Sequence, residues 1–290
     1  MSQPPSPGIL YIVPTPIGNY EDISPRAARI LGEVDVIAAE DTRETAMLLR
    51  HLQLNKSMLS YHDHNEGERT RQLVNSLRQG RNIALVSDAG TPLLDDPGYR
   101  LVAAVVSEGL PLVSLPGPCA ALTALTGSGL PTDRFYYLGF LPRSTGEREG
   151  LLTEVKNHPS TLLFYEAPHR TIDTLISMEK VLGDRPATLA INLTKEREAW
   201  HRGTLSSLRT LLQSREFVSG EITLVVGGAL TRDEGPLWAK AEQVMDLLLG
   251  SGVEPRIVRD TICTTLDLRK REVYQRILAR VAEGDEEEET

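Results

Sequence analysis

The amino-acid sequence predicts an α/β protein of two domains followed by a small helical domain. Short apolar runs alternate with helical patterns as far as residue 226, which is typical of largely parallel sheets covered by helices. Near residue 116 a turn and a helix of small residues interrupt this alternation, and from Gly235 only helical patterns remain. The 290 residues suffice for two domains of ordinary size and a small third piece.

The first half of the chain alternates strand, loop and helix. Ser24 followed by Pro25 is a good helix start, because Ser caps the first turn and Pro suits its first position. Further helices are predicted for residues 44–54 and 68–79 and from Pro97 onward. The predicted strands are 9–13, 34–38, 58–61, 83–86 and 112–115.

The second half again mixes both types of element, and each strand ends in a polar or Gly-rich loop. Strands are predicted for 135–138, 161–165, 187–193 and 222–226, helices for 146–157, 169–182 and 204–213, and three closing helices for 237–252, 254–266 and 269–281. The predicted organisation is therefore an N-terminal α/β domain (1–115), a C-terminal α/β domain (116–233), a helical domain (234–283) and an acidic disordered tail (284–290).

The loop LVSDAGTPLLDDPG, residues 85–98, is the strongest candidate for a ligand site. It follows a buried strand, and ligands of open α/β sheets bind beyond the carboxyl ends of strands. Gly90 allows close backbone approach, while Asp88, Asp95 and Asp96 are carboxylates without a basic neighbour, which argues against a phosphate cradle. The alternative is an ordinary strand-to-helix turn in which Asp and Gly serve as turn and cap residues.

Composition and charge exclude several classes of protein. No apolar run is long enough for a membrane span and the N-terminus has no signal-peptide pattern, so we expect a cytoplasmic protein without a membrane partner. Cys119 and Cys263 lie in unrelated contexts, which indicates neither a disulfide framework nor a metal site. The net charge is −9, but six acids lie within residues 281–290, so RNA binding is not excluded. Residues 236–280 carry eight basic and six acidic side chains, which fits either an RNA contact or a packed helical appendage.

Further polar loops contain groups able to do chemistry. Neither GxGxxG after a strand nor GxxxxGK[ST] occurs, which disfavours the common dinucleotide and P-loop folds. YEAPHR (165–170) combines a carboxylate, an imidazole and a guanidinium at a strand end, although Glu166 and Pro168 would also suit a helix start. TKERE (194–198) holds two acids and two bases. The His62–Glu66 patch could supply metal ligands, but a simply exposed polar loop is the better interpretation, and no metal is predicted.

Taken together, these loops resemble those of one family. The motifs occur in the order VPTPIGN, AAEDTRET, SYHDHNE, LVSDAGTPLLDDPGYR, LPGPCAALTALTGSGLPTDRFYYLGFLPR, FYEAPHR, LTKERE and EITLVV. In this they resemble the ribosomal RNA small-subunit methyltransferase I family of the tetrapyrrole methylase superfamily. The resemblance runs from about Ile9 to Gly227. Asp95 stands where that family commonly has Ser, Cys119 replaces a common Ser, and INLTKERE replaces a more usual RELTK.

The resemblance implies a two-domain class III S-adenosylmethionine methyltransferase fold with the cofactor in the cleft between the domains. It implies 2′-O-methylation of the ribose of a decoding-centre cytidine in 16S rRNA of the small ribosomal subunit, and a homodimer. Matched motif by motif, the residues expected to bind S-adenosylmethionine are Pro14, Gly18, Asp88, Ala89, Gly90, Leu93, Leu94, Pro116, Ala120, Ala121, Tyr165, Glu166, Ala167 and Thr223.

The chemistry implied by the resemblance defines which catalytic groups to expect. The cofactor carries the difficult step, so the enzyme mainly aligns a hydroxyl with the methyl group. Because a ribose hydroxyl is a poor acid, a base or a cation near the developing oxyanion would help. The hypothesis is that this machinery lies among Glu166, His169, Arg170, Lys195 and Glu196, with Lys195 or His169 nearest the proton.

Two other functions are compatible with the same fold. One is a tetrapyrrole C-methyltransferase of the precorrin or uroporphyrinogen type, which the AEDTR and YEAPHR loops and the helical tail argue against. The other is a catalytically inactive ribosome-binding factor, which the intact SDAG and YEAPHR loops argue against. DNA is not an expected partner.

Overall fold

A computed structural model describes residues 6–214, 219–229, 235–266, 268 and 270–288. These residues form two compact units, Met1–Ala229 and Leu230–Thr290. The first unit contains both sheets, so the predicted division at residues 115 and 116 stays a prediction.

The first sheet is entirely parallel, with strand order β3-β2-β4-β1-β5. All four residues of its central strand β4 are buried, as expected for a strand covered on both faces. The apolar side chains of α1 pack on one face of the sheet and those of α3 and α4 on the other. The bounds are β1 (Leu10–Ile12), α1 (Pro25–Glu33), β2 (Val36–Ala39), α2 (Thr42–His51), β3 (Met58–Ser60), α3 (Glu66–Arg78), β4 (Ile83–Val86), α4 (Tyr99–Ser107) and β5 (Leu112–Ser114).

The adjacent strands β1 and β4 form the topological switch point of this sheet. Their following helices, α1 and α4, lie on opposite faces, so the two loops diverge and leave a crevice beyond the strand ends. The predicted start of α1 is confirmed, because Ser24 Oγ accepts a hydrogen bond from Ala27 N–H at 3.0 Å and Pro25 occupies the first turn.

The second sheet is mixed, with strand order β6-β7-β10-β8-β9. Strands β6 and β7 are parallel, and the other three pairs are antiparallel. Strand β9 was not predicted, because it is an edge strand of partly exposed residues without the apolar alternation that marks a strand. The bounds are α5 (Ala120–Ser128), β6 (Phe135–Phe140), α6 (Thr145–Glu154), β7 (Thr161–Glu166), α7 (Thr171–Leu182), β8 (Pro186–Ile191), β9 (Ala199–Thr204), α8 (Leu205–Gln213) and β10 (Ile222–Val226).

The second compact unit consists of helices with a core of its own. It contains α9 (Gly235–Gly250), α10 (Pro255–Leu266) and α11 (Lys270–Glu288), and its core includes Met245, Ile262 and Ile277. Helix α11 overlaps the segment expected to be disordered from residue 284, because Glu is a good helix former; residues 289 and 290 lie outside the described residues. Across the described chain, no helix combines the length and apolar character that a membrane crossing requires.

Candidate active site

The loops beyond β1, β4 and β5 are tied together by hydrogen bonds. Thr15 N–H donates to the Gly90 carbonyl at 2.8 Å, Gly90 N–H donates back at 3.0 Å, and Thr91 Oγ1 donates to the Pro118 carbonyl at 2.8 Å. Gly90 has φ of +87°, and a Cβ atom there would lie 3.3 Å from the Ile17 side chain. A side chain at this position would be strained and crowded, so the tight approach of the loops requires glycine.

These loops form one wall of a cavity of about 370 Å³, a size typical of small-molecule sites. The opposite wall comes from the second sheet, through the end of β7 and the segment that enters β10. Sequence-predicted residues that line the cavity are Ala89, Gly90, Leu94, Ala120, Tyr165, Glu166, Ala167 and Thr223.

The lining fits a cofactor that is partly apolar and positively charged. Ile17, Phe140 and Ile222 provide apolar surface, while Asp95, Asp96 and Glu221 provide carboxylates. Among the described residues, no Lys, Arg or His lines this cavity. Such a lining disfavours phosphate and suits the sulfonium and ammonium groups of S-adenosylmethionine, since opposite charges attract.

The carboxylates near the cavity are close enough to accept hydrogen bonds from one another's backbone N–H groups and to affect one another's pKa values. Asp41 N–H donates to Asp88 Oδ1 at 2.9 Å, and Asp88 N–H donates to Glu40 Oε2 at 3.3 Å. Burial, reinforced by the negative charge of Glu40, raises the pKa of Asp96 from 3.8 to about 7. Burial, then the charge of Asp88, also raises the pKa of Glu40. By contrast, hydrogen bonds from Arg43 hold the pKa of Asp41 at about 2. Within this cluster, the pKa of Asp96 is thus brought close to neutral pH.

Asp95 connects the two sheets across the cavity. Its carboxylate accepts a hydrogen bond from the hydroxyl of Tyr137 on β6, and a Cβ atom at Gly139 would lie 2.4 Å from Asp95 Oδ1. Leu93 and Asp95 both have left-handed backbone angles, with φ of 74° and 65°. Such angles are costly for residues other than glycine and are frequent at ligand sites. Burial, with the hydrogen bond to Asp95, raises the pKa of Tyr137, so its hydroxyl remains a donor.

The YEAPHR loop holds a buried carboxylate whose oxygens are already engaged. Glu166 is 2% exposed and accepts hydrogen bonds from Ala167 N–H at 2.7 Å and from the Thr174 hydroxyl. Arg170 Nε lies 3.3 Å from Glu166 Oε1 as an ion pair without hydrogen-bond alignment, and its Nη2 donates to the Leu141 carbonyl at 2.5 Å. His169 is exposed and lies outside the cavity lining. Glu166 and Arg170 therefore hold the ends of β6 and β7 together.

The TKERE loop approaches the loop after β1. A Cβ atom at Gly18 would lie 2.4 Å from the Lys195 side chain, so only glycine permits this contact. Lys195 Nζ forms an ion pair with Glu221, which lines the cavity, whereas Glu196 is exposed. Of the five expected catalytic residues, Lys195 is thus linked to the cavity through Glu221, and Glu166 lines it directly.

Six expected cofactor-binding residues lie outside the cavity lining. Several residues that do line the cavity were not among the expected ones. Asp88 belongs to the carboxylate cluster, and the Ala121 amide donates to Tyr165 Oη at 3.1 Å. The other four outside the lining are Pro14, Gly18, Leu93 and Pro116. Phe140, Gly220 and Glu221 line the cavity and were missed, whereas the lining residues Ile17, Asp95 and Asp96 belong to loops that were expected to bind the ligand. Ile17, Asp95, Asp96 and Glu221 lie in the motifs PTPIGN, DD and EITLVV, so these motifs could have identified them as lining residues.

The polar patch after β3 is an internally bonded loop. Asn65 Nδ2 lies 3.0 Å from His62 Nε2, and Asn65 Oδ1 accepts from His62 N–H at 3.0 Å. Glu66 forms an ion pair with Arg100 at 2.8 Å. No group of three or more His, Cys, Asp or Glu residues within the described ranges is arranged to hold a metal ion.

Solved structures with the same fold include methyltransferases and a synthase. Uroporphyrin-III C-methyltransferase from Thermus thermophilus is 21% identical with a TM-score of 0.53, over 80% of this chain and 98% of that chain. A structure of uroporphyrin-III C-methyltransferase from the same organism in complex with S-adenosylhomocysteine is 19% identical with a TM-score of 0.54, over 75% of this chain and 97% of that one. Diphthine synthase is 14% identical with a TM-score of 0.59, over 76% and 90% of the two chains. At these identities the likeness establishes the fold.

Sequence relatives establish the family. Residues 9–209 match the family described as Tetrapyrrole (Corrin/Porphyrin) Methylases. A relative from Micromonospora olivasterospora named Ribosomal RNA small subunit methyltransferase I is 47% identical over 93% of this chain and 86% of its own length. Relatives with the same name from Escherichia coli O157:H7 (48%, over 79% of this chain and 81% of theirs) and Halalkalibacterium halodurans (42%, over 92% and 93%) agree. The chain therefore belongs to the tetrapyrrole methylase family and, within it, to the ribosomal RNA small subunit methyltransferase I family.

Proposed function

We propose that this protein uses S-adenosylmethionine to methylate the ribose 2′-oxygen of a decoding-centre cytidine in 16S rRNA of the small ribosomal subunit. The observation that carries the proposal is the 47% identity, over 93% of the chain, to a relative named for methylation of small-subunit ribosomal RNA. The carboxylate-lined cavity between the two sheets supports the cofactor.

The cavity residues are proposed to hold the cofactor. When bound, S-adenosylmethionine would supply the methyl group. Its positively charged sulfur makes the remainder of the cofactor a good leaving group. Gly90 and Ala120 allow the backbone to come close, and Phe140 and Ile222 exclude water. The carboxylate of Asp95 attracts the positive charge, as does Asp96 when it is ionised. The related structure solved with S-adenosylhomocysteine supports this assignment.

The proposed catalytic set is Glu166, His169, Arg170, Lys195 and Glu196, with different roles. Since the oxygens of Glu166 are engaged by its neighbours, we assign Glu166 and Arg170 to positioning the β7 turn that lines the cavity. The Lys195 ammonium, at the cavity edge beside Glu221, is suited to stabilise the hydroxyl oxygen as it loses its proton. His169 and Glu196 are exposed and lie outside the lining of the cofactor cavity, so their proposed roles are toward the RNA.

A methyl-transfer assay tests the proposal. The protein is incubated with labelled S-adenosylmethionine and, in separate reactions, with a porphyrinogen or with small subunits from a strain lacking this activity. Label on the small subunits is mapped by ribose-methylation-sensitive primer extension. A single stop at a decoding-centre cytidine is expected. Label on a porphyrinogen instead would indicate the tetrapyrrole C-methyltransferase, and cofactor binding without transfer to either would indicate a ribosome-binding factor. Full turnover by all five alanine variants would refute the catalytic set.

The same proposal includes the surroundings in which the enzyme works. Its partner is 16S rRNA of the small ribosomal subunit, it acts in the cytoplasm where ribosomes are, and it is a homodimer. It has domains 1–115 and 116–233, a helical domain 234–283 and a tail 284–290. Sedimentation of the purified protein at about twice the 32.0 kDa chain mass would support the dimer, and a monomeric mass would contradict it.

A further inference from the structure

A second, more open cavity of about 790 Å³ lies beside the TKERE loop. It is lined by Gly18–Glu21 after β1, by His51 at the end of α2 and, after β8, by Asn192 and residues 194–197. Except for Gly18, none of the expected cofactor-binding residues lines it. The ion pair between Lys195, which lines this cavity, and Glu221, which lines the cofactor cavity, connects the two.

One side of this second cavity is aromatic. The rings of Tyr20 and His51 are stacked, with centroids 4.7 Å apart and an angle of 26° between their planes. Tyr20 is 38% exposed and His51 is exposed, so the pair presents aromatic surface to the space that both residues line. Single-stranded nucleic acid uses such surfaces as stacking platforms, because every base has a flat π face.

The other side is a loop whose backbone is held in a costly conformation. Asn192 and Thr194 have φ of 53° and 64°, although neither is glycine. Thr194 Oγ1 accepts from Asn19 N–H at 3.2 Å, Thr194 N–H donates to Glu198 at 2.6 Å, and Asn192 Oδ1 accepts from Glu221 N–H at 3.1 Å. Costly backbone conformations that are fixed by many contacts cluster at binding sites.

Arg197 is a cation at this cavity that has no ionic partner among the described residues. Its side chain is exposed and forms no hydrogen bond or ion pair with the described residues. Lys195 is already paired with Glu221, and the carboxylates of Glu21 and Glu196 also line the cavity. The balance of charge therefore favours one phosphate contact, through Arg197, and not an extended basic groove.

We propose that the second cavity binds a nucleotide of single-stranded RNA next to the one that is methylated, with its base stacked on Tyr20 and His51 and a backbone phosphate on Arg197. The identity of the strand as ribosomal RNA rests on the proposed function. Binding here would keep the strand beside Lys195 and hence at the edge of the cofactor cavity.

Binding of RNA can be measured separately from methyl transfer. The probe is a 5′-fluorescein-labelled oligocytidylate of twelve nucleotides, titrated with the full-length protein and followed by fluorescence anisotropy. We expect Tyr20→Ala to raise Kd about tenfold, as loss of one stacked base does, whereas Tyr20→Phe keeps the ring and stays within about twofold. Arg197→Ala should lower the slope of log Kd against log salt by about 0.7, the value for one phosphate of a single strand.

Arg134→Ala is the matched control. Arg134 is also exposed, but it directly precedes β6, at the end of that strand away from Phe140, and lines a different cavity. It should leave both Kd and the salt slope unchanged. Calorimetric affinity for S-adenosylhomocysteine, equal in all variants, checks that the fold is intact. Tyr20-dependent binding in a protein that transfers no methyl group would contradict the proposed function and support this inference. No binding by the wild type, or equal binding by wild type, Tyr20→Ala and Arg197→Ala, would overturn the inference.

Discussion

Asp96 is the residue whose protonation should follow physiological pH. Its pKa in the folded protein is raised from 3.8 to about 7, so between these values the folded state holds a proton that the unfolded state has lost. Stability from this group is therefore present at low pH and lost as pH rises through about 7. We expect Asp96→Asn to remove this loss, so that the variant gains stability relative to wild type between pH 5 and pH 8. Thermal unfolding of both proteins across that pH range measures the difference in stability. Parallel curves of stability against pH for wild type and variant would contradict this prediction.

Glu166 should contribute far more to stability than a partly exposed acid that is paired with an exposed lysine. Glu166→Ala leaves the mostly buried Arg170 without its carboxylate and removes acceptors for Ala167 N–H and Thr174. The loss should be about 3 kcal/mol in the free energy of unfolding. Glu149, whose partner Lys180 is 65% exposed, is the control. Glu149→Ala should cost less than about 1 kcal/mol. Chemical denaturation measures the free energy of unfolding of both variants. Equal losses of stability would show that the contacts of Glu166 stabilise the protein no more than those of Glu149.

At the scale of elements, the contact between α5 and the edge strand β9 depends on one glycine. A Cβ atom at Gly127 would lie 2.3 Å from the ring of Trp200, so this helix can approach the strand only without a side chain there. Gly127→Ala should therefore destabilise the protein by about 2 kcal/mol through overpacking.

Gly150 in α6 provides the opposite case for the same substitution. A Cβ atom there meets nothing within 4 Å, so Gly150→Ala should stabilise the protein by about 0.5–1 kcal/mol through helix propensity. Melting temperatures of both variants test the pair. A shift of the same sign in both would show that contact with Trp200 does not decide the outcome at Gly127.

At the scale of the whole molecule, cofactor binding should depend on the first compact unit alone. Every residue lining the cofactor cavity precedes Leu230, and the helical unit that follows has its own core. A chain ending at Ala229 should bind S-adenosylhomocysteine within about threefold of the full-length affinity. Isothermal calorimetry measures this, with circular dichroism to verify folding. Loss of binding by a folded truncated chain would assign the helical unit a part in the cofactor site.

The predictability of each element depended on how its residues are buried. Strand β4 was predicted with its observed bounds, because a fully buried parallel strand is a continuous apolar run between polar segments. Strand β9 was missed, since an edge strand buries little and its sequence, AWHRGT, shows no periodicity. Glu166 was expected to be chemically active from its neighbours in the sequence. Its engagement by Thr174, eight residues away, depends on how α7 packs against the end of β7.

The sequence was sufficient to predict the α/β class, the positions of most elements, the loops that form the site, and the family. These features depend on the periodicity of buried residues and on local motifs, and both can be recognised within short segments of the chain. Tertiary structure alone decided which loops meet. Gly90 faces Ile17, Asp95 reaches Tyr137 on the other sheet, and Lys195 pairs with Glu221. These contacts join residues far apart in sequence, and their geometry follows from strand order and from the packing of both sheets. No local pattern encodes either of these.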